Sequence, residues 1–325
     1  MSPDFPERLG ILDIVEGHLL GHVLLSLIDL GINPQGAEAV SCEALSARTG
    51  VNADLLAPLL NYLAARTDLV EQKDNHYRFE RLDASAVFSL RQYVGAYGPV
   101  AEATADLLRG EVTFREVFRP ARQAEAFAGL SGPSVGVLPA VIAQLAPAVV
   151  LDLGCGPGRL LLSLVSDHGV PRGIGVDISP DMCAAAENAA RTAGAQDLLT
   201  FQVDDAFEPK RLVVSSTGMV VVASSLINEL FHRGSDRARK WLEDARDAFG
   251  GSLLVVSDYY GRLGHIEPPW PRRTALHDLV QHLSGQGVPP PDAASWAALY
   301  SEAGVALLHV IEAIDDTGFI HILRL

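Results

Sequence analysis

The stretch "AVVLDLGCGPGRLLLSLV" (residues 148–165) decides the fold of the C-terminal half of the chain. An apolar run typical of a buried strand is followed by a glycine turn and then by a second apolar run typical of a helix. Gly154, Gly156 and Gly158 form G-x-G-x-G, which lets the backbone approach a ligand closely because glycine has no Cβ. Arg159 stands where a dinucleotide-binding turn has its third glycine, which disfavours a dinucleotide. The stretch predicts a strand, a ligand-binding turn and a helix.

Two later strands end in carboxylates. The stretch "GIGVD" (residues 173–177) ends in Asp177, and "LLTFQVDDAF" (residues 198–207) carries Asp204 and Asp205. A carboxylate at the tip of the second strand is placed to accept hydrogen bonds from two ribose hydroxyls. Because the carboxyl ends of parallel strands meet at one edge of a sheet, we expect the three strand ends to form one crevice.

The motifs "LDLGCGPG", "GVDIS" and "VDDAF" together resemble those of class I S-adenosylmethionine-dependent methyltransferases, and the resemblance covers residues 149–325. It implies that the three glycines face the methionine part of S-adenosylmethionine and that Asp177 holds the ribose. It also implies that Asp205 meets the adenine amine, with Phe207 nearby. The cofactor-binding residues implied are Asp152, Gly154, Gly156, Gly158, Asp177, Ile178, Asp204, Asp205, Ala206, Phe207 and Ser224.

The end of the chain predicts the rest of the sheet. After the strands "GMVVVAS" and "SLLVVSDYY", the stretches "ALLHVIEAI" and "GFIHILRL" are joined by the turn-forming "DDTG". This last pair predicts a hairpin that completes a seven-stranded sheet. The predicted fold class is α/β, with a Rossmann-like methyltransferase sheet in residues 121–325 and a helical, winged-helix-like dimerisation domain with connector helices in residues 1–120.

The N-terminal region has the element order of a winged helix, in which a long helix and two further helical stretches are followed by a hairpin. Its successive stretches are "ILDIVEGHLLGHVLLSLIDLG", "SCEALSARTG", "NADLLAPLLNYLAART" and "LVEQKDNHYRFERL". The presumed recognition helix (residues 52–67) carries one Asp and one Arg, so it offers no footprint for phosphates. This disfavours a transcription regulator. The first helix is apolar over most of its circumference, which predicts a homodimer, and His18 and His22 on it are interpreted as packing residues rather than metal ligands.

Composition excludes other classes of function. The 325 residues carry 40 acidic and 25 basic side chains, a formal net charge of -15 that repels nucleic acid on average. No basic leader and no run of roughly 18 uninterrupted apolar residues occurs, so we expect no membrane segment and a cytoplasmic location. The three cysteines are too few and too widely spaced for a disulfide framework, and we expect them to be reduced.

A histidine follows the fourth strand in "SSLINELFHRG" (residues 224–234). In the two-domain small-molecule O-methyltransferases that the chain resembles, a histidine there removes a proton from a substrate hydroxyl. His232 stands two to three positions later than that pattern expects. With His265 in "SDYYGRLGH" and with His277 and His282 in "TALHDLVQHLSGQGVPPP", this segment resembles the α-keto acid C-methyltransferases, the group that includes 2-ketoarginine methyltransferase.

This resemblance leads to a specific prediction of chemistry. A C–H beside a ketone is a weak acid, so a base and a group that stabilises the enolate are needed. A divalent metal held by His232, His265 and His282 would do the second job, and imidazole suits zinc, iron or nickel. The predicted function is methylation of the β-carbon of an α-keto acid, and the alternative is O-methylation with His232 as general base. The other candidate residues are His277, Asp258 and Glu229 for catalysis, and Tyr93, Tyr97, Asn228, Arg262 and Arg273 for a small-molecule substrate.

Overall fold

The computed structural model describes residues 9–32, 38–80, 82–128, 133–212, 214, 218–314 and 317–325. Within these residues the chain divides into two compact units. The N-terminal unit comprises residues 9–98 and 125–128, and the C-terminal unit comprises residues 99–124 and those from 133 onward. Residues 99–120, which the sequence assigned to the N-terminal domain, therefore belong with the C-terminal unit. One physical link is Arg115, whose charge acts on Glu229 of that unit.

The N-terminal unit has three helices followed by a hairpin, in the order that the sequence predicts. Its first elements are α1 (Ile11–Asp29), β1 (Val40–Ser41), α2 (Cys42–Thr49), α3 (Ala53–Arg66), β2 (Val70–Lys73) and β3 (His76–Phe79). The strands form a sheet in the order β1-β3-β2. Asp74 and Asn75 both have positive φ, 47° and 64°, as a two-residue hairpin turn of type I′ requires. The side chain of Asn52 accepts the N–H of Asp54 and so caps α3.

Helix α1 is apolar but mostly exposed. Its buried residues are Leu25 and Leu27. By length and composition alone it could cross a membrane, although core helices of water-soluble proteins pass the same test. Glu16 is an acidic residue within this apolar helix, and it accepts a hydrogen bond from Arg66 of α3 at 2.6 Å. This hydrogen bond and one from Tyr62 lower the pKa of Glu16 to about 2. The contact between Glu16 and Arg66 holds α1 against α3 of the same unit. The cytoplasmic location of the protein stays a prediction.

Short helices connect this region to the sheet. They are α4 (Ala84–Ser89), a π-helix (Leu90–Ala96), α5 (Gly98–Glu102), α6 (Thr104–Arg109), α7 (Phe114–Val117), α8 (Pro120–Ala128) and α9 (Pro133–Gln144). The N–H of Tyr97 donates to the carbonyl of Gln92 at 2.9 Å, the i to i−5 bond of a π-helix. Tyr93 and Tyr97 both lie in the N-terminal unit. Their contact with substrate stays a prediction.

The C-terminal unit contains the predicted seven-stranded sheet. Its strands are β4 (Val149–Leu153), β5 (Gly173–Asp177), β6 (Leu199–Val203), β7 (Met219–Ser224), β8 (Leu253–Tyr259), β9 (Ala306–Ile314) and β10 (Gly318–Arg324). The order is β6-β5-β4-β7-β8-β10-β9. Strands β4 to β8 are parallel, and β10 runs antiparallel between β8 and β9. The closing hairpin is confirmed, although the turn residues Asp315 and Asp316 lie outside the described residues.

Helices cover both faces of this sheet. They include α10 (Arg159–Ser166), α11 (Pro180–Thr192), α12 (Asp236–Phe249), α13 (Arg272–Leu283) and α14 (Ala293–Glu302). Successive residues of β4 point to opposite faces, so that Leu151 and Leu153 join one apolar core and Val150 joins the other. The central parallel strands β4 and β7 are buried on both faces and mainly apolar, whereas the edge strand β6 carries the exposed Thr200 and Gln202. This arrangement places the candidate site at the carboxyl edge of the sheet.

Candidate active site

The glycine turn after β4 has one glycine that faces open space. Gly154, Gly156 and Gly158 all have positive φ, at 76°, 52° and 74°. A Cβ on Gly158 would lie 2.8 Å from Cβ of Ala186 and 2.9 Å from the ring of Phe201, whereas a Cβ on Gly156 would have no atom within 4 Å. Gly158 is therefore needed for packing, and Gly156 borders a space that a ligand can enter.

Asp177 ties the end of β5 to this turn. One carboxylate oxygen accepts the N–H of Gly156 and the other accepts the N–H of Ser179, each at 2.9 Å. Burial raises the pKa of Asp177, although these two hydrogen bonds act in the opposite direction. Asp152 at the end of β4 is buried, and burial together with the charge of Asp177 raises its pKa to about 7. Two carboxyl groups therefore lie beneath the glycine turn.

The end of β6 folds back in a tight turn. The N–H of Asp204 donates to the carbonyl of Asp177 at 3.1 Å, which joins the ends of β5 and β6. The side chain of Asp204 accepts the N–H of Asp205 at 2.8 Å, and that of Asp205 accepts the N–H of Phe207 at 2.9 Å. Ala206 is buried, and its carbonyl accepts the indole N–H of Trp241 at 2.9 Å. The predicted residues of β4, β5 and β6 thus share one edge, with Ile178 exposed beside them.

The turn after β7 is held by the end of β8. Ser224 ends β7, and a 3₁₀ turn (Ile227–Leu230) follows it. The N–H of the buried Asn228 donates to one carboxylate oxygen of Asp258 at 3.0 Å, and the N–H of Tyr259 donates to the other at 2.9 Å. Burial raises the pKa of Asp258 to about 7. Asp258 is therefore a structural anchor between two strand ends.

Glu229 in this turn is a carboxyl group that can exchange a proton near neutral pH. Its pKa is raised to about 7, mainly by burial and to a lesser degree by the negative charge of Asp177. A hydrogen bond from Gln286 and the positive charge of Arg115 lower the pKa and so oppose this shift. These interactions place Glu229 within electrostatic reach of the cofactor edge. The predicted catalytic role of Glu229 has a physical basis in this arrangement.

The structure does not bring the three predicted metal ligands together. His232, His265 and His282 are all exposed, and Nε2 of His265 lies 3.2 Å from the carbonyl oxygen of Val288. In the part of the chain that the structure describes, no three His, Cys, Asp or Glu side chains are placed to hold a metal ion. The predicted three-histidine metal site is corrected accordingly. The prediction was wrong because it assumed that histidines near strand ends would point to the same place. His232, His265 and His282 lie on separate segments, and all three side chains are exposed instead.

Helix α13 reverses the usual pattern of burial. It buries the polar Thr274, Asp278 and Gln281, while Leu276 and Leu279 are 43% and 47% exposed. His277 lies partly buried on this helix, with its ring 4.8 Å from that of Tyr259 and edge-on to it. Burial lowers the pKa of His277. The end of β8 is therefore covered by polar side chains, among them an imidazole that is neutral near pH 7.

The predicted substrate arginines have different environments. The guanidinium of Arg262 donates to the carbonyl of Pro291 at 2.8 Å and its backbone N–H donates to Asp278 at 2.7 Å, so Arg262 fastens a loop. Arg273 is exposed at the start of α13, and its charge acts on His277. Arg115 of α7 and Gln286, which both act on Glu229, were missed because neither belongs to a local motif.

The comparisons with known proteins agree with this geometry. The family model described as "Methyltransferase domain" matches residues 150–249. The chain is 27% identical to 2-ketoarginine methyltransferase of Streptomyces arginensis over 276 residues, which cover 79% of this chain and 76% of that protein. The solved structure of the mitomycin 7-O-methyltransferase MmcR has a TM-score of 0.72 at 17% identity, covering 97% of this chain and 96% of that chain.

A second solved structure is human N-acetylserotonin methyltransferase in complex with S-adenosylmethionine, with a TM-score of 0.73 at 16% identity, covering 97% of this chain and 96% of that chain. At such identities these two structures show a shared fold. The matched domain begins at β4 and includes the glycine turn, Asp177 and the end of β6. The chain is therefore an S-adenosylmethionine-dependent methyltransferase with a methyltransferase domain in residues 150–249.

Proposed function

We propose that this enzyme transfers a methyl group to the β-carbon of an α-keto acid. The observation that carries the proposal is the 27% identity with 2-ketoarginine methyltransferase, which extends over 79% of the chain and so beyond the methyltransferase domain. The described contacts support it, because a carboxyl group with a pKa of about 7 stands in the turn after β7. A base of that pKa suits removal of a proton near neutral pH.

The cofactor edge fits S-adenosylmethionine. A Cβ on Gly156 would enter open space, so this glycine leaves room for the methionine part of the cofactor. Asp177 retains acceptor capacity for the ribose hydroxyls, since a carboxylate can accept more than the two N–H groups it already binds. Asp205 and Phe207 would meet the adenine. When bound, the cofactor supplies a methyl group on a positively charged sulfur.

Glu229 is our candidate for the group that takes the proton. The Glu229 carboxylate would take one hydrogen of the β-carbon as a proton. The electron pair left on the substrate would form the bond to the methyl group that bound S-adenosylmethionine would supply, with S-adenosylhomocysteine as the leaving group. Neutral His277 can donate one N–H to the oxygen on which the enolate charge develops. Glu229 comes from the turn after β7, and His277 comes from α13, where its ring contacts Tyr259 at the end of the neighbouring strand β8.

Arginines at this edge suit the carboxylate of a keto acid. A guanidinium binds a carboxylate in a bidentate manner. Arg115 already acts on Glu229 and Arg273 acts on His277, so both are near the proposed reacting groups. The guanidinium of Arg262 already donates a hydrogen bond to the carbonyl of Pro291, so we assign Arg262 a structural role in its loop. Asn228, whose side-chain Oδ1 has no hydrogen-bond partner among the described residues, is kept as a substrate contact.

The predicted divalent metal does not fit the residues that were to bind it. His232, His265 and His282 are exposed and do not form a cluster. We therefore derive no step of the reaction through a metal ion. We assign the stabilisation of the enolate to His277, Arg115 and Arg273.

The rival function is O-methylation with His232 as base. The solved structures with this fold include O-methyltransferases, but that likeness concerns the fold. The side chain of His232 is exposed, whereas Glu229 in the preceding turn is partly buried. The rival therefore needs His232 to turn into the crevice when substrate binds, and the proposal needs no such movement.

A panel of α-keto acids tests the proposal. Each acid is incubated with the enzyme and with S-adenosylmethionine labelled at the methyl carbon, and the position of the label in the product is determined by mass spectrometry and NMR. We expect label on the β-carbon of at least one acid. Phenols and other hydroxyl compounds serve as the matched panel, and label that appears only on oxygen would overturn the proposal in favour of its rival.

We also propose that the enzyme is a homodimer formed through α1. Leu12 on this helix is 78% exposed, beside the exposed Ile11 and Leu19. Leu108 on α6 is equally exposed, at 78%, and provides a matched control. In sedimentation experiments we expect Leu12→Glu to weaken the dimer and Leu108→Glu to leave it intact. A wild-type enzyme that sediments as a monomer at micromolar concentration would contradict this proposal.

A further inference from the structure

Gln286 connects the loop after α13 to the turn that carries Glu229. Its side chain is buried and hydrogen-bonds to the Glu229 carboxyl group. The next residue, Gly287, has a φ of 83°, and a Cβ there would collide with the carbonyl group of Phe231 and with the backbone N of His232. The loop is therefore pressed against the backbone that follows Glu229, with no room for a larger residue at position 287.

We propose that Gln286 is a positioning residue that holds the carboxyl group of Glu229 toward the substrate before and after proton transfer. This inference rests on the proposed function, in which Glu229 takes the proton. Gln286 itself touches none of the reacting atoms. It acts through the carboxyl group that it orients.

A primary amide can serve both protonation states of a carboxyl group. Its NH₂ donates to the ionised carboxylate, and its carbonyl oxygen accepts from the O–H of the protonated acid. Among the described residues, the buried Oε1 of Gln286 has no hydrogen-bond partner. Buried acceptors in proteins are usually satisfied, so an O–H donor is expected there at some stage of the cycle. Protonated Glu229 is the neighbouring group that can supply it.

The charges around Glu229 set the direction of the expected effect. Asp177, at the end of β5, favours the protonated form of Glu229, and Arg115, on α7, favours the ionised form. Glu229 in turn raises the pKa of Asp258 on β8. Gln286 carries no charge and acts on Glu229 through its hydrogen bond, which lowers the pKa of Glu229 and opposes the effect of burial. Loss of this bond should therefore raise the pKa of Glu229 and leave the charges in place.

The test compares two buried glutamines that differ in their partner. Gln286→Met removes the amide beside Glu229, and Gln281→Met removes a buried amide whose Nε2 lies 3.5 Å from His277 instead. The titration of Glu229 is followed by infrared difference spectroscopy without cofactor or substrate, with Glu229→Gln to identify its carboxyl band. The pH dependence of kcat/KM is then measured for the same proteins.

We expect Gln286→Met to move the Glu229 midpoint and the acidic limb of kcat/KM upward together, by about one pH unit, as the loss of a hydrogen bond to a charged group implies. Gln281→Met should leave the midpoint in place. Should Gln286→Met fail to fold, Gln286→Asn keeps the amide on a shorter side chain and should shift the midpoint in the same direction, by a smaller amount.

Two failures can be told apart. If Glu229→Gln keeps wild-type turnover, Glu229 is not the base, and the proposed mechanism is overturned together with this inference. If Glu229→Gln is inactive but Gln286→Met leaves the midpoint unmoved, or lowers kcat/KM equally at every pH, only the positioning role of Gln286 is overturned. An equal shift in Gln281→Met would show general loosening of the loop and would also reject it.

Discussion

The two sides of the crevice are built in different ways. On the cofactor side, the contacts join residues that end a strand or follow it within three residues, such as Gly156 with Asp177 and Asp177 with Asp204. On the substrate side, Glu229 is contacted by Gln286 from a distant loop and acted on by Arg115 from α7. The cofactor side is therefore encoded by short motifs, whereas the substrate side is assembled from loops that are far apart along the chain.

The carboxyl groups of the two sides are also held differently. Both oxygens of Asp177 accept backbone N–H groups, which fixes the orientation of this carboxylate regardless of the neighbouring side chains. Glu229 is held by a side-chain amide and has a pKa of about 7. A carboxylate fixed by the backbone suits binding of a part of the cofactor that does not react, such as the ribose. A carboxyl group that titrates near neutrality suits proton transfer.

The largest expected effect is at Glu229. Because general-base catalysis contributes roughly 10²- to 10⁴-fold to a rate, Glu229→Gln should lower kcat/KM for the keto acid by about that factor. The matched variant His232→Asn, at an exposed position in the same loop, should change kcat/KM by less than about threefold because surface substitutions have small effects. Steady-state kinetics with labelled cofactor measures both. The opposite ranking would assign the base to His232 and support O-methylation.

The second prediction compares two glycines of one turn. Gly158→Ala should lower the free energy of unfolding by about 2–4 kcal/mol, because the positive φ and the collision with Ala186 and Phe201 both oppose it. Gly156→Ala has only the backbone strain, about 1–2 kcal/mol, but its methyl group enters the proposed cofactor space.

Urea unfolding and calorimetric titration with S-adenosylhomocysteine separate these two effects. We expect Gly156→Ala to remain folded and to bind the nucleoside at least about tenfold more weakly, which corresponds to about 1.4 kcal/mol. Unchanged affinity in a folded Gly156→Ala would show that the cofactor does not approach this part of the turn.

Sequence alone predicted the cofactor side because its signals are local. The strands there are mainly apolar, and a polar residue at the end of a strand or directly after it, such as Asp177 or Asp204, marks the edge of the sheet. The hairpin turn at Asp74 and Asn75 is a local signal of the same kind. The closing hairpin likewise follows from two apolar runs on either side of a turn-forming stretch.

The substrate side could not be predicted to the same depth. Gln286 lies in a Gly- and Pro-containing loop, where nothing in the sequence indicates that its side chain is buried. Helix α13 buries Asp278 and Gln281 while exposing Leu276, so the usual rule of apolar burial gives the wrong face. His282 on this helix is exposed for that reason, which removes it from the predicted metal site.

The smallest expected effect concerns the pH dependence of stability and tests the anchor between β7 and β8. Asp258 has a folded pKa of about 7, above its usual value of 3.8. Its contribution to stability is therefore present in acid and is lost as the pH rises toward and through 7, so the wild-type free energy of unfolding should fall over that range. The asparagine of Asp258→Asn cannot ionise. Between pH 5 and pH 8.5, the free energy of unfolding should therefore fall by about 1–3 kcal/mol less in this variant than in the wild type.

Urea unfolding over this pH range measures the difference. At pH 5 the variant should be less stable by about 1 kcal/mol, because an amide oxygen replaces a carboxyl group that accepts two N–H groups. At pH 8.5 the variant should be as stable as the wild type or more stable by up to about 2 kcal/mol. Asp244→Asn is the control, because Lys210 and Lys240 lower the pKa of Asp244 and place its titration below the range. Parallel curves for wild type and Asp258→Asn would mean that Asp258 is already ionised at pH 5, and the burial argument would then fail for Glu229 beside it as well.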